Sequence, residues 1–384
     1  MNTPGSSPTD RLHVVIAGGG VAALEAALAL RDVAGNRCSV TLLADATDYV
    51  HRPLSVGEPF SSSHADHHPL AALATRAGAQ LRHGRLERVD PQRRVVHAAD
   101  GTAIAYDALL VAVGAHPHPV FPLATTIDDA RMDELLHGLV QDVEGGYVRR
   151  LAVVVPAPMP WPLPAYELAL MASERAWDMQ TDLDITLMTP ERRPLEAFGG
   201  TVGAALGALL SERRIEIVTS AYCEVPEAGT VTIHPGGRTV HADRVVALPQ
   251  LRGPALTGLP QDGGGFIPVD DLCRVDGVDR VWAAGDAADL PVKLGGVAAQ
   301  MAETAALSIA ALAGAAMSPP PLRPVLEGVL MTGGTARHLR YRPAGDGVAE
   351  ESVFGELAGR IPSGKVAAPR LAAELNRAAQ PATA

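Results

Sequence analysis

Residues 11–33 read RLHVVIAGGGVAALEAALALRDV. A short apolar run rich in β-branched residues is followed by three glycines and then by an Ala- and Leu-rich segment with the length of a helix. The next apolar run, CSVTLL at 38–43, predicts a second strand. A strand, a glycine turn, a helix and a strand within about 30 residues form the order that a dinucleotide-binding βαβ unit requires.

The glycine turn has the spacing Gly18-x-Gly20-x-x-Ala23. Gly18 permits the tight turn, Gly20 lets a pyrophosphate approach the backbone, and Ala23 allows close packing of helix on strand. The first helical residues, Val21 and Ala22, supply amide donors. Asp45, one residue beyond the end of the second strand, is the candidate partner for ribose hydroxyls, and a turn or capping aspartate is the alternative.

The rest of the chain repeats this α/β order. Strands are predicted at 151–157, 185–190 and 215–220, helices at 164–179 and 204–213, and hairpins at 94–110 and 231–248. The fold class is therefore α/β, with two Rossmann-like (three-layer ββα) dinucleotide-binding domains, the second inserted in the first. We predict a discontinuous first domain at 1–125 and 255–318, an inserted domain at 126–254 and a C-terminal capping or interface module at 319–384.

A second chemical signal follows the apolar strand RVWAA. Gly285 lets the backbone approach a ligand, and Asp286 can accept hydrogen bonds from the hydroxylated chain of a flavin, although a simple turn also explains this pair. The strand YDALLVAVGA ends in two further cofactor-binding candidates, Ala112 and Gly114. The glycine turn and Gly285-Asp286 together bracket the inserted domain and are far more specific than either alone.

With these motifs, residues 11 to about 315 resemble the FAD-containing pyridine nucleotide–disulfide oxidoreductase superfamily, in the branch of type II NADH dehydrogenases and sulfide:quinone oxidoreductases. The resemblance implies a non-covalent FAD. It implies that the segment with Arg52 and Pro53 reaches the flavin ring and that the helix start at Gly295, Gly296 and Val297 lies near the pyrimidine, unless that start is only flexible. Lys293 would add positive charge there, the alternative being a solvated surface lysine.

The cysteines depart from this branch. The chain has Cys38, Cys223 and Cys273, and residues 51–63 hold no cysteine pair of the kind that disulfide reductases use. Trp161 stands about where sulfide:quinone oxidoreductases carry one reactive cysteine, and no cysteine follows Cys273. Without a thiolate there is no nucleophile for sulfane sulfur, so sulfide oxidation by the family's route is not expected.

The site for a nicotinamide nucleotide is also altered. Residues 156–164 read PAPMPWPLP, where prolines replace the expected glycines and remove amide donors. Thr189 stands where relatives that bind NADH have an acid, and Glu191 lies two residues further on. NAD(P)H binding is therefore left open.

Glu167 resembles a glutamate that faces the flavin in relatives. In that position a partly buried carboxylate could exchange protons with flavin N5 or with a bound quinone. The alternative is a residue on the helix surface.

Charge, hydropathy and residue types limit the classes of partner, metal and compartment that are expected for this chain. The 384 residues carry a formal charge of −11, which argues against nucleic acid. Residues 296–317 are apolar but interrupted by polar residues, so no transmembrane segment is expected. His64, Asp66, His67 and His68 are metal-ligand types without a completing set, and we expect no metal. The cytoplasm is the expected compartment, with weak peripheral contact at the inner face of the membrane and a homodimer left open.

The sequence thus predicts an FAD-dependent oxidoreductase that passes electrons from an unassigned small donor to a quinone or another small acceptor. Glu167 and Lys293 are its candidate catalytic residues. One alternative is an NAD(P)H dehydrogenase with a rearranged nicotinamide loop. The other is a flavin-bound redox sensor or partner subunit with little turnover.

Overall fold

The computed structural model describes residues 11–345, 348–357 and 365–379, and for residues 378 and 379 it describes the backbone only. Short 3-10 turns occur at Gly35–Arg37, Ser55–Phe60, Glu196–Phe198 and Gly285–Ala287. Within the described residues the α-helices are α1 Val21–Ala34, α2 Leu70–Arg76, α3 Met132–Glu144, α4 Leu163–Asp178, α5 Gly199–Glu212, α6 Gly295–Leu312 and α7 Pro369–Ala379.

The first parallel sheet is built around the strand that precedes the glycine turn. Its order across the sheet is Val281–Ala283, Ala108–Val111, Leu12–Ala17, Cys38–Ala44 and Ala79–His83. The register pairs Val14 with Val40 on one side and with Ala108 on the other. Four of these strands precede residue 112 and one follows residue 280, so the chain leaves this sheet and returns to it.

The second parallel sheet takes its strands from the intervening chain. Its order is Thr125–Thr126, Arg244–Ala247, Arg150–Val154, Asp184–Met188 and Ile215–Val218. Val153 pairs with Leu187 and Val246 and is completely buried. The α/β fold class with two Rossmann-like units, one within the other, is confirmed. The domain boundaries given above remain our proposal.

The structure also contains smaller antiparallel sheets. Two of these sheets have three strands each. One consists of Leu86–Asp90, Val95–Ala98 and Ala103–Ala105, and the other consists of Tyr222–Glu227, Thr230–His234 and Arg238–His241. Two-stranded pairs join Asp48–His51 with Asp66–Pro69 and His116–His118 with Gln250–Arg252. The third three-stranded sheet, in the C-terminal part, consists of Leu326–Leu330, Arg337–Arg342 and Glu351–Glu356.

One predicted element needs correction. The hairpin expected over 231–248 ends at His241, and Arg244–Ala247 instead enters the parallel sheet beside Arg150–Val154. Its apolar residues Val245 and Val246 are buried there, because a central parallel strand is covered on both faces.

No helix among the described residues is long and apolar enough to cross a membrane. Helix α6, the apolar stretch that the sequence singled out, is instead buried along most of its length and packs against α1.

We expect Gly18→Ala to destabilise the protein severely. Gly18 has φ +127°, and a Cβ there would lie 2.1 Å from the carbonyl oxygen of Ala112. Left-handed strain alone costs about 1–3 kcal/mol, and the clash with backbone adds to it. Chemical denaturation would measure the loss. Gly138→Ala, in α3 with open space around the new Cβ, is the control and should be neutral or stabilising. Equal stability of the two variants would contradict this description of the turn.

Candidate active site

A cavity of about 480 Å³ lies where both parallel units and the C-terminal part meet. The starts of α1, α4 and α6 line it, together with the segment after the second strand and residues 328–329 and 365–366. Eight residues singled out from the sequence are brought together in its lining: Gly20, Val21, Arg52, Pro53, Glu167, Asp286, Lys293 and Gly295.

The start of α1 forms one end of the cavity. Gly20 is the N-cap residue, with no side-chain cap, and a Cβ on it would meet nothing within 4 Å. The backbone is therefore open to the cavity at the helix terminus, where unpaired amides and the helix dipole favour an anion. This cradle fits a pyrophosphate, which is the group that the glycine turn predicts.

The structure does not bring the other predicted cofactor-binding residues to the cavity lining. Gly18 lies beneath the turn against Ala112, and Gly285, with φ +73°, lies between Ala22 and Ala298. These positions keep the turn and the packing of α1 on α6 tight. The predicted cofactor-binding residues that lie outside the lining are Gly18, Ala22, Asp45, Ala112, Gly114, Gly285, Gly296 and Val297.

Asp45 lies outside the cavity lining, and another aspartate takes the place that the sequence predicted for it. Asp45 is exposed just after the strand Cys38–Ala44, whereas the half-buried Asp48, three residues on, lines the cavity. The chain turns between them before it starts the strand Asp48–His51, which carries the second carboxylate inward. Asp48 is thus the better placed candidate for ribose hydroxyls.

Asp286 and Lys293 form a charged wall of the cavity. Burial raises the pKa of Asp286, and the ammonium of Lys293 opposes that rise. Lys293 is itself 6% exposed, donates to the carbonyl oxygen of Ala288 and lies 4.1 Å from the centre of the Phe266 ring. Burial lowers its pKa, whereas Asp286 and Asp289 raise it. The solvated surface lysine left open by the sequence is thereby excluded.

The start of α6 is covered by the C-terminal segment. A Cβ on Gly295 would lie 2.8 Å from Cγ1 of Val366, and one on Gly296 would lie 3.4 Å from Cβ of Ala367. Glycine is needed at position 295 because Val366 crosses the helix terminus there, whereas the distance at Gly296 is an ordinary van der Waals contact. Only Gly295 of this pair lines the cavity.

Glu167 is the fifth residue of α4 and is 1% exposed, so the alternative of a residue on the helix surface is wrong. Its Oε1 accepts a hydrogen bond from the backbone amide of Met331 at 2.9 Å and lies 2.5 Å from Nζ of Lys365. Burial raises the pKa of Glu167, and Lys365 opposes that rise. The pair is a buried acid and base that can hold a proton at the cavity wall.

Three charged residues of the cavity lining were missed by the sequence reasoning: Lys365, Asp48 and Asp129. Asp129 precedes α3 in a loop, and burial raises its pKa while Arg52 opposes the rise. A signal for Lys365 was present in the sequence. The chain contains only two lysines, Lys293 and Lys365, and the structure places both at this cavity.

The prolines at 156–164 close the corresponding helix start of the inserted unit. Pro162 is the N-cap of α4 and Pro164 lies in its first turn, while the amide of Ala165 already donates to Pro162 at 3.0 Å. A helix terminus with so few free amides is a poor anion site. Trp161 of this loop lines the cavity and packs on Phe198, with ring centres 5.9 Å apart.

Glu191, the candidate substitute for the missing acid, is occupied by internal hydrogen bonds. Its Oε2 accepts from the hydroxyls of Tyr166 at 2.6 Å and Thr189 at 2.9 Å, and its Oε1 accepts from the amide of Glu196 at 2.9 Å. Burial raises the pKa of Glu191. Both oxygens are thus engaged within the protein and face no ribose.

The cysteines and histidines form no site of their own in the part of the chain that the structure describes. Cys38 and Cys273 are buried, Cys223 is half-buried, and none lines the cavity. No group of three or more His, Cys, Asp or Glu side chains among the described residues could hold a metal ion.

Residues 12–154 and 163–306 match the pyridine nucleotide-disulphide oxidoreductase family, and the chain belongs to this family. It is a family of FAD-binding oxidoreductases, many of which use NAD(P)H as a substrate. The break in the match, at 155–162, coincides with the proline-rich loop before α4.

Among known proteins, the chain is 26% identical over 305 residues to rhodocoxin reductase from Rhodococcus erythropolis, covering 73% of this chain and 66% of that protein. The fold is similar to a sulfide:quinone oxidoreductase from Aquifex aeolicus, with a TM-score of 0.81, 19% identity and coverage of 96% and 89%. It is also similar to a ferredoxin reductase from Rhodopseudomonas palustris, with a TM-score of 0.66, 19% identity and coverage of 87% and 83%.

We expect Tyr166→Phe to destabilise the protein by about 1–2 kcal/mol, because ionised Glu191 loses a buried donor. The effect has a pH dependence. The folded-state pKa of Glu191 is raised, so its contribution to stability is complete below the unfolded value of 4.5 and falls as pH rises through the folded pKa. More of the Glu191 carboxyl is ionised at pH 8 than at pH 5, and the Tyr166 hydroxyl stabilises the ionised form. Removing this donor should therefore cost more stability at pH 8 than at pH 5.

Urea denaturation at the two pH values would measure this difference. Tyr147→Phe is the matched control, since that ring is 81% exposed. A loss in Tyr166→Phe no larger than in the control would show that the bond to Glu191 does not contribute.

Proposed function

We propose that the protein is an FAD-dependent oxidoreductase that holds its flavin non-covalently in the cavity and passes electrons to a small acceptor such as a quinone. The observation that carries the proposal is the shared cavity. It joins the open helix terminus at Gly20, the carboxylate of Asp286 and the buried pair of Glu167 and Lys365.

The residues fit FAD along the length of this cavity. The start of α1 would hold the pyrophosphate, Asp48 the ribose and Asp286 the hydroxylated chain. Arg52 and Pro53 would border the ring, and the start of α6 at Gly295 would stabilise negative charge on it. When bound, the flavin supplies two-electron transfer between donor and acceptor.

Glu167 and Lys365 would hold and transfer the proton that accompanies electron transfer. Each is almost completely buried, and their contact of 2.5 Å allows one proton to be held between Oε1 and Nζ. The amide of Met331 fixes the carboxylate in place. A positioned acid–base pair of this kind exchanges protons with a reacting group without bulk water.

The acceptor would lie against the apolar wall of the cavity. Trp161, Leu163 and Val329 present flat or branched apolar surface beside Glu167. This combination suits a planar, weakly polar ring system that takes up protons on reduction, as a quinone does. Tyr166, the residue before Glu167, does not contribute to this wall, because it is fully buried and its hydroxyl donates to Glu191.

We expect Gly20→Val to abolish FAD binding while the protein stays folded. The new side chain would meet no protein atom within 4 Å and would project into the space that the pyrophosphate needs. Gly138→Val, with equally open surroundings on α3, is the matched control. Titration of the apo-proteins with FAD, followed by flavin fluorescence, should show a loss of binding of at least about a hundredfold for Gly20→Val only. Unchanged affinity would place the cofactor elsewhere.

We also expect NADH and NADPH to reduce the bound flavin slowly or not at all. The inserted unit presents a proline-rich helix start and an acid, Glu191, whose oxygens are engaged. Anaerobic stopped-flow mixing would measure bleaching of the flavin band. Bleaching within seconds would contradict this expectation and favour the alternative of an NAD(P)H dehydrogenase with a rearranged loop.

A further inference from the structure

Helix α7 is capped by a carboxylate from another helix. Glu25 on α1 is 1% exposed, and it accepts hydrogen bonds from the backbone amides of Arg370 at 3.1 Å and Leu371 at 2.8 Å. These amides belong to the first turn of α7, where no partner exists within the helix itself. The acid is separated from them by about 345 positions in the sequence, so this cap is a tertiary contact.

Further contacts fix α7 to the same surface. The guanidinium of Arg370 bonds to Asp32 on α1 at 3.2 Å and to Glu303 on α6 at 3.1 Å. Leu371 and Leu375 are buried on the inner face of α7. The surface ion pairs add little individually, whereas the buried carboxylate is costly unless its hydrogen bonds are made.

The residues that precede α7 lead directly to the cavity. Ala367 and Val366 cross Gly296 and Gly295, and Lys365 then reaches Glu167. From the capped turn at Arg370 to the ammonium of Lys365 the chain spans only five residues. The position of α7 along α1 therefore sets where Lys365 can lie.

We infer that Glu25 is a positioning residue: by holding the N-terminus of α7, it keeps Lys365 in contact with Glu167 at the cavity. Glu25 is not among the residues that line the cavity, and it acts through the helix that it caps. That this pair handles protons for a flavin rests on the proposed function; that Glu25 positions Lys365 does not.

The lysine content of the chain makes a direct test available. Lys293 and Lys365 are its only lysines, and both are buried, at 6% and 8% exposed. Acetylation with N-acetoxysuccinimide, followed by peptide mass spectrometry, reports the accessibility of each amine separately. Both should react slowly in the wild-type protein, and Lys293 serves as the internal control for global unfolding.

The Glu25→Gln side chain has the same shape, but only one of its two terminal atoms is an oxygen that can accept a hydrogen bond. Its NH2 group would face one of the two backbone N–H donors, so one of the two hydrogen bonds is lost. We expect acetylation of Lys365 to rise about tenfold while Lys293 stays protected. Glu25→Asp, which restores the carboxylate, should recover part of the protection. Arg377→Gln removes an exposed guanidinium at the other end of α7, where Glu374 keeps its ion pair with Arg31, and should match the wild type.

Protection of Lys365 in Glu25→Gln would overturn the inference. Equal exposure of both lysines would also overturn it, because Glu25 would then stabilise the whole fold and not the position of Lys365. If Glu25→Gln does not fold, hydrogen–deuterium exchange of the wild-type protein still tests the cap. The amide of Leu371 should exchange slowly with deuterium in the wild-type protein, although it lies in a first helical turn, and rapid exchange there would refute the cap.

The two proposals fail in different ways. If the wild-type protein binds no FAD, the proposed function is wrong, while the acetylation pattern of Lys293 and Lys365 remains readable in the same sample.

Discussion

The close packing of α1 on α6 is the constraint on which the cavity depends. Gly285 lies between Ala22 and Ala298, where an added Cβ would stand 3.2 Å from the first and 3.5 Å from the second. Small residues at this contact bring two helix starts, at Gly20 and Gly295, to the same cavity. Because each helix start carries partial positive charge, the cavity has two places that favour negative charge on a ligand.

Glu167 and Lys365 form a buried ion pair at the cavity wall. Burying Glu167 or Lys365 alone would cost several kcal/mol, whereas the pair retains its attraction and the amide of Met331 completes the carboxylate. A pair of this type rarely adds net stability compared with apolar residues. Its presence at the meeting point of α4, the C-terminal sheet and the segment before α7 is therefore better explained by chemistry than by folding.

The sequence was informative where contacts are local. The glycine turn, the strands around it and Asp286 follow from short-range patterns, and the structure places Gly20 and Asp286 in one lining. The sequence points to Asp45 whereas the structure places Asp48 in the cavity lining, because residue types do not encode the length of the turn between them. Lys365 was missed because its contact with Glu167 spans 198 positions, and no local pattern encodes such a distance. The inserted unit shows the same limit, since the engagement of Glu191 by Tyr166 appears only in three dimensions.

The central claim, a non-covalent flavin in this cavity, is tested most directly by the flavin content of the wild-type protein. The protein would be purified, incubated with excess FAD, separated from free flavin by gel filtration and then heat-denatured. The expected result is about one FAD per chain, carried through the column and released into the supernatant on denaturation. A protein that carries no flavin after this treatment, or whose flavin stays with the denatured polypeptide, would contradict the account.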